Sequence, residues 1–191
     1  MEYPAGGIPR TRSLVERMIG AAMLDVSVYE EVEADQNATG QAAIVVAIVA
    51  VCAAIGNYGH GGHGMIGGVL AAFFGWVVMA ALTYFIGTRL FGGTADMGEM
   101  LRTLGFAQAP GVIAILGIVP ILGRLVVVAV AIWQLVTAIV AIRQALDFDT
   151  GKAIATALIA WVIVWSLMLA IFAMFFGTAL LAGAVAGAVA H

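Results

Sequence analysis

The sequence predicts an all-α membrane protein: a polytopic bundle of five transmembrane helices with a short cytoplasmic N-terminal helical segment. Three observations carry this reading. Hydrophobic residues make up 63% of the 191 residues and charged residues 10%, against roughly 45–50% and about 25% in soluble domains. A water-soluble fold of this size leaves much of its surface exposed and cannot hide so much apolar area. The charges are also confined: residues 41–88 carry none, residues 104–142 carry only Arg124, and residues 153–190 carry none. Finally, the basic residues segregate to one side of the membrane once the spans are drawn.

Lipid offers no partner to backbone polar groups, so a span is a helix or a strand of a closed barrel. Runs such as residues 43–49, Ala-Ile-Val-Val-Ala-Ile-Val, lack the alternation of a barrel strand. A helical crossing takes about 20 residues. The 48 uncharged residues of the first block are therefore two spans, near 41–58 and 65–90, parted by the glycine-rich turn at 56–64. The second block is broken at 117–123 around Pro120, giving spans near 104–119 and 121–146. Pro110 and Pro120 make the third of these short, kinked or re-entrant. The fifth span lies near 153–177, and the small-residue tail at 178–191 is too short for a sixth. Residues 1–40 form the N-terminal segment and 41–191 the membrane domain. No cleaved leader is expected, because the first 40 residues hold no apolar signal core.

With five spans, Arg10, Arg12, Arg17, Arg89, Arg102, Arg143 and Lys152 share one side and Arg124 stands alone on the other, seven against one. The positive-inside rule then places the N-terminus in the cytoplasm and the C-terminus outside. Arg124 and Arg143, 19 residues apart, are about 28 Å apart along a helix, close to the hydrocarbon thickness. They read as snorkelling anchors at the two interfaces.

The N-terminal segment reads as two short helices, each opened by a capping box: Ser13 with Glu16, and Ser27 with Glu30. Leu14, Val15, Met18, Ile19, Ala22 and Met23 share a face of the first, suited either to the membrane interface or to the ends of the spans. Glu30, Glu31, Glu33 and Asp35 form an acidic cluster, a solvated face or a docking patch for a basic partner. The net charge of −3 and scattered basic residues exclude a nucleic-acid partner. Asn37-Ala38-Thr39 matches a glycosylation acceptor but lies on the cytoplasmic side, where Asn37 reads as the cap of the first span.

Chemistry-bearing patterns are sparse. Residues 59–64 match G-x-G-x-x-G, but no strand precedes them and no acidic residue follows before Asp96, so a dinucleotide site is not expected. His60 and His63 are the candidate metal ligands, and two imidazoles make at most half of a tetrahedral site. Cys52 is the single cysteine, which rules out an internal disulfide. Proton-coupled transport requires ionisable groups at mid-depth, and no Asp, Glu or Lys falls inside a span, which argues against a pump or proton-coupled transporter. No catalytic constellation and no cofactor site is expected.

Small residues suggest packing. Gly64 and Gly68, and Gly183 and Gly187, have the spacing for close helix approach. Ala131, Gln134, Ala138 and Ala141 share a face of the fourth span, and Gln134 lies about 15 Å from Arg124, near mid-bilayer. An amide there needs a partner on another helix, such as Thr83 or Ser166, so this face is expected to be buried in protein.

Four segments in order, Leu-Gly-Phe-Ala-Gln-Ala-Pro at 104–110, Leu-Gly-Ile-Val-Pro-Ile-Leu-Gly at 116–123, Ala-Ile-Trp-Gln-Leu at 131–135 and Ala-Ile-Arg-Gln-Ala-Leu at 141–146, resemble the Yip (Ypt-interacting protein) family of integral membrane proteins, its bacterial branch most closely. The resemblance spans roughly residues 25–175. It implies five spans, a cytoplasmic N-terminus, a bacterial inner membrane, and association with other membrane proteins. Eukaryotic relatives bind Rab-type GTPases. Their Asp-Leu-Tyr-Gly-Pro signature is lacking here, the nearest stretch being residues 24–30, which puts a GTPase partner in doubt. The function expected is a non-enzymatic membrane scaffold or accessory subunit, partnered by the bilayer and by other integral membrane proteins or further copies of itself. The alternatives are a small transporter or channel, or a membrane-shaping or lipid-handling protein.

Overall fold

The computed structural model describes residues 12–57, 64–119 and 122–189. All the elements among them are helices: α1 (Leu14–Ala22), α2 (Val26–Ala34), α3 (Ala38–Gly56), α4 (Met65–Leu90), α5 (Met97–Phe106), a 3₁₀ helix (Ala109–Ile118), α6 (Leu122–Ala145) and α7 (Thr150–Val189). His60, His63 and Pro120 lie outside the described residues. So α3, α4, α6 and the Thr150–Met174 part of α7 are each long and apolar enough to cross a membrane, and α5 with the 3₁₀ helix makes a fifth candidate bent by 40°.

The bent pair runs the length of α3. A Cβ on Gly105 would strike Ala42, one on Gly111 would strike Val49, and one on Gly56 would strike the Ala114 carbonyl oxygen. These three meetings follow α3 from near its start through its middle to its end, in parallel order. The pair therefore follows α3 from Ala42 to Gly56, about 21 Å along the helix axis. Glycine permits the approach because any side chain would hold the backbones apart. The helix that leads into the third candidate span starts at Met97, ahead of the residue 104 near which that span is expected to begin. The fifth candidate span, Thr150–Met174, lies near the expected 153–177, but its helix continues beyond it: α7 runs for 40 residues to Val189, about 60 Å and twice the hydrocarbon thickness. The tail's alanines sustain the helix where no proline or charge stops it.

The spans close a ring in the order α3, α4, α7, α6, 3₁₀ helix and back to α3. α5 plugs one end of the ring and α2 covers it. Residues 102–107 of α5 and its exit are all buried.

The expected capping box opens α1: Glu16 N donates to Ser13 Oγ at 3.3 Å and Ser13 N donates to Glu16 Oε2 at 2.7 Å. α1 ends in a Schellman turn, in which Asp25 N donates to the Gly20 carbonyl and Leu24 N to the Ala21 carbonyl. Leu24 holds the left-handed position, φ 63°, where glycine is usual. The second capping box does not form. α2 starts two residues earlier, capped by Asp25, whose Oδ1 accepts from both the amide and the hydroxyl of Ser27. The Ser27 hydroxyl is thereby spent as a donor. Nor does Asn37 cap α3 with its side chain. Asp35 supplies the oxygens, accepting from Asn37 N through Oδ1 and from Ala38 N through its carbonyl.

Candidate functional site

The bend in the third span follows from one residue. In a 3₁₀ helix each amide donates three residues back, and Gly111 N donates to the Gln108 carbonyl at 2.8 Å. The next donor toward the N-terminus belongs to Pro110, which has no N–H. The Ala107 carbonyl is left without its chain partner, buried, at a depth where an unpaired group costs several kcal/mol in order of magnitude. α6 supplies the replacement: Thr137 Oγ1 donates to that carbonyl at 2.7 Å. Three residues earlier on the same face, Gln134 Nε2 donates to the Gln108 carbonyl at 3.2 Å. From α4, Trp76 Nε1 donates to the Leu101 carbonyl at 3.0 Å. The amide of Gln134 thus finds its partner at the bend. Thr83 bonds back to Met79 and Ala80 on its own helix instead, and Ser166 lies on an exposed stretch of α7.

A cavity of about 280 Å³ opens beside the bend, with Trp76, Met79, Gln108, Gln134, Ala138 and Trp161 among its walls. The small-residue face of α6 behaves as a gradient: Ala141 is fully buried, Ala138 half-buried, and Ala131 exposed at the cavity wall. The burial expected for the whole face holds only toward the α5 end of the bundle. Gly64 and Gly68 approach no other helix, since a Cβ on either meets open space. The close approaches use Gly56, Gly105, Gly111, Gly117 and Gly123 instead. Gly183 and Gly187 are in the last turns of α7, and their surroundings lie outside the described residues. Pro110 is buried in the first turn of the 3₁₀ helix, a position that tolerates a missing amide hydrogen. Arg124 is exposed in the first turn of α6, and Arg143 is in its last turn, half-buried against Gln144.

A second polar group holds the N-terminal helices down. Arg17 is 1% exposed, and its guanidinium donates to Glu31 at 2.8 and 3.0 Å, to Asp35 at 2.8 Å and to the Gln41 amide oxygen at 2.9 Å. Arg12 adds a second hold on Glu31 at 2.7 Å. Burial alone raises the Glu31 carboxyl, but the bonds from Arg17 and Arg12 outweigh it and hold it below the usual range. Asp35 is lowered chiefly by its bond from Arg17. Arg102, also buried, donates to the carbonyls of Val32 and Glu33. It fills the open C-terminal end of α2, where a cation also suits the helix dipole.

The acidic cluster is therefore divided. Glu31 and Asp35 are bound inside the chain. Glu30 is exposed and accepts from Gln144 at 3.4 Å. Glu33 is half-buried and pushed up to about 7, first by burial and then by the charges of Glu99, Asp147 and Glu30, with Arg102 opposing. Among the described residues no three His, Cys, Asp or Glu side chains are grouped to hold a metal.

Arg17, Arg102, Gln108 and Thr137 are the polar residues that the pattern of the sequence did not single out. Arg17 meets carboxylates 14 and 18 residues away on another helix, a separation that carries no signal. Gln108, Gln134 and Thr137 did carry one, as hydrogen-bonding groups in otherwise apolar runs.

A family model described as the Yip1 domain matches residues 26–172 of the chain. Comparison with curated proteins and with solved structures returns no match.

Proposed function

Since the chain belongs to the Yip1-domain family of multi-pass membrane proteins, we propose that it works as a non-enzymatic scaffold or accessory subunit that docks other integral membrane proteins, or further copies of itself, against its outer helix faces. The observation that carries this reading is where the polar groups go. Thr137, Gln134 and Trp76 satisfy the backbone of the bend, and Arg17 and Arg102 hold α2 in place. Each is engaged in holding the bundle's shape. What faces outward is apolar, above all α7, which packs mainly on α4 and α6 and leaves Val162, Trp165 and Leu169 well exposed. A rigid frame with apolar outer faces suits docking inside a bilayer, where packing rather than the hydrophobic effect joins helices.

In this reading the N-terminus is cytoplasmic and the C-terminus outside, following the charge asymmetry, in a bacterial inner membrane. A Rab-type GTPase is not part of it. In the stretch nearest the eukaryotic signature, Asp25 is committed to capping α2, and the Tyr29 hydroxyl is buried, donating to the Ala21 carbonyl at 2.9 Å.

Purification of the full chain from its native membrane in mild detergent tests the proposal. The expected result is a stoichiometric integral membrane partner or a defined homo-oligomer, lost when Trp165 and Leu169 are both changed to Ala. A monomer accompanied only by lipid contradicts it. The second reading, a small transporter or channel, draws on the amide-lined cavity beside the bend. Solute flux through purified protein in liposomes favours that reading over the scaffold.

A further inference from the structure

The apolar stripe of α1 is split lengthwise by the fold. Leu14, Met18 and Ala22 pack on the core, and Arg17 and Ala21 are buried. The neighbouring line of Val15, Ile19 and Met23 is left exposed, at 62%, 55% and 74%. The contacts of α1 set its depth. Arg17 reaches Gln41 near the start of α3. One turn on, the Ala22 carbonyl accepts from Trp133 Nε1 at 2.8 Å, and Tyr29, bonded to the Ala21 carbonyl, also donates to the Thr137 carbonyl at 3.4 Å. Trp133 is 11 residues into the 24 of α6, about 17 Å from the end where that span begins. α1 therefore descends from the mouth of one span toward the middle of another. Its exposed line continues onto Ile132, Trp133 and Val136 of α6, themselves exposed and apolar.

We propose that α1 is a fixed helix set into one leaflet of the bilayer, with Val15, Ile19 and Met23 covered by lipid at the headgroup and acyl-chain boundary. The occupant is lipid because the exposed line is continuous with the flank of a span. The attachment is permanent, since Arg17, Trp133 and Tyr29 tie α1 to the bundle from the other side, unlike a surface helix that binds and leaves through a lysine-rich face. A helix present in one leaflet only makes the protein wider there than in the other, a shape matched to loosely packed or outwardly curved lipid. The inference rests on the membrane architecture and not on the scaffold reading.

The test uses the full chain with Cys52→Ser, one chain per lipid nanodisc, and a fluorophore on Ile19→Cys or, as a second position, Val15→Cys. Gln36→Cys, in the exposed α2–α3 connection, is the reference. Lipids brominated high on the acyl chain should quench the labels on α1 at least about threefold more than the reference, and more than lipids brominated near the chain end do, as placement at the boundary requires. Labels quenched by aqueous iodide like the reference and untouched by bromine overturn the proposal. So does quenching that vanishes when two chains share a disc, which assigns the face to a second copy.

Discussion

Thr137 Oγ1 lies 2.7 Å from the carbonyl oxygen of Ala107, 30 residues away in sequence, and occupies the place of the hydrogen bond that Pro110 cannot make. Bend and brace form one device: a proline opens the backbone of one span and a hydroxyl on another closes it. Thr137→Val keeps the side-chain shape and removes the donor. It should cost about 1–3 kcal/mol, the penalty for a buried acceptor left bare. Pro110→Ala restores an amide donor at the bend, so in the double variant most of that loss should disappear. Unfolding of the four proteins of this cycle in mixed detergent micelles measures it, and equal losses with and without Pro110 would refute the link.

Gln134→Leu should cost less, about 0.5–1 kcal/mol, in the range of single interhelical hydrogen bonds in membranes. The reason is local: the Gln108 carbonyl keeps its bond from Gly111 N when Gln134 is lost. The same unfolding assay checks the ranking, which fails if Gln134→Leu is the more damaging change.

Arg17→Met should free the N-terminal helices while leaving the spans folded. Glu31 and Asp35 are partly solvated, so the loss falls below the roughly 3–5 kcal/mol of a fully buried pair broken on one side. The expected sign is faster amide exchange confined to residues 14–34 and new protease cleavage there. Arg17→Lys should give only partial rescue, because an ammonium cannot reproduce the forked contacts.

Two pH windows of opposite sign follow from the carboxylates. Glu33 has a folded value near 7, above its ordinary 4.5, so the folded form holds its proton more tightly. Its ionisation erodes stability as pH rises from about 4.5 to about 7, after which the loss is complete. Glu31 and Asp35 are lowered, so what they contribute is present above their ordinary values and fades as pH falls through the lowered ones. Amide protection of α2 should therefore be greater at pH 5.5 than at pH 8, and Glu33→Gln should flatten that difference. A slope unchanged in Glu33→Gln removes the assignment.

Leu24→Gly should stabilise the chain by about 1 kcal/mol, because a left-handed backbone costs a side-chain-bearing residue that much and glycine little. The side chain given up is partly exposed. A loss of stability would mean that Leu24 packs more than its conformation costs.

Much of this architecture is legible in the sequence, because lipid makes the pattern strict. Charge-free stretches set α3, α4 and α6 within a few residues, and Ser13 with Glu16 marks the opening of α1. The start of α5 escaped because it carries Glu99 and Arg102, charges that read as a loop. Arg102 is tolerated there because it spends its donors on the exposed carbonyls of α2. The close approaches were missed for a related reason: Gly56, Gly105 and Gly117 stand on different helices, while the regular spacing of Gly64 and Gly68 lies along one helix and meets nothing. For the bend, Pro110 and Gln134 were each legible alone. Their connection through Gln108 and Thr137 exists only once α6 packs against the third span.

The central claim is that α5 and the 3₁₀ helix form one complete crossing braced by α6, which makes the number of crossings odd. Reporters fused to the two ends of the intact chain, one active only in the cytoplasm and one only outside it, test this most directly. The account predicts a cytoplasmic N-terminus and an external C-terminus in the same preparation. Both ends in one compartment would contradict it.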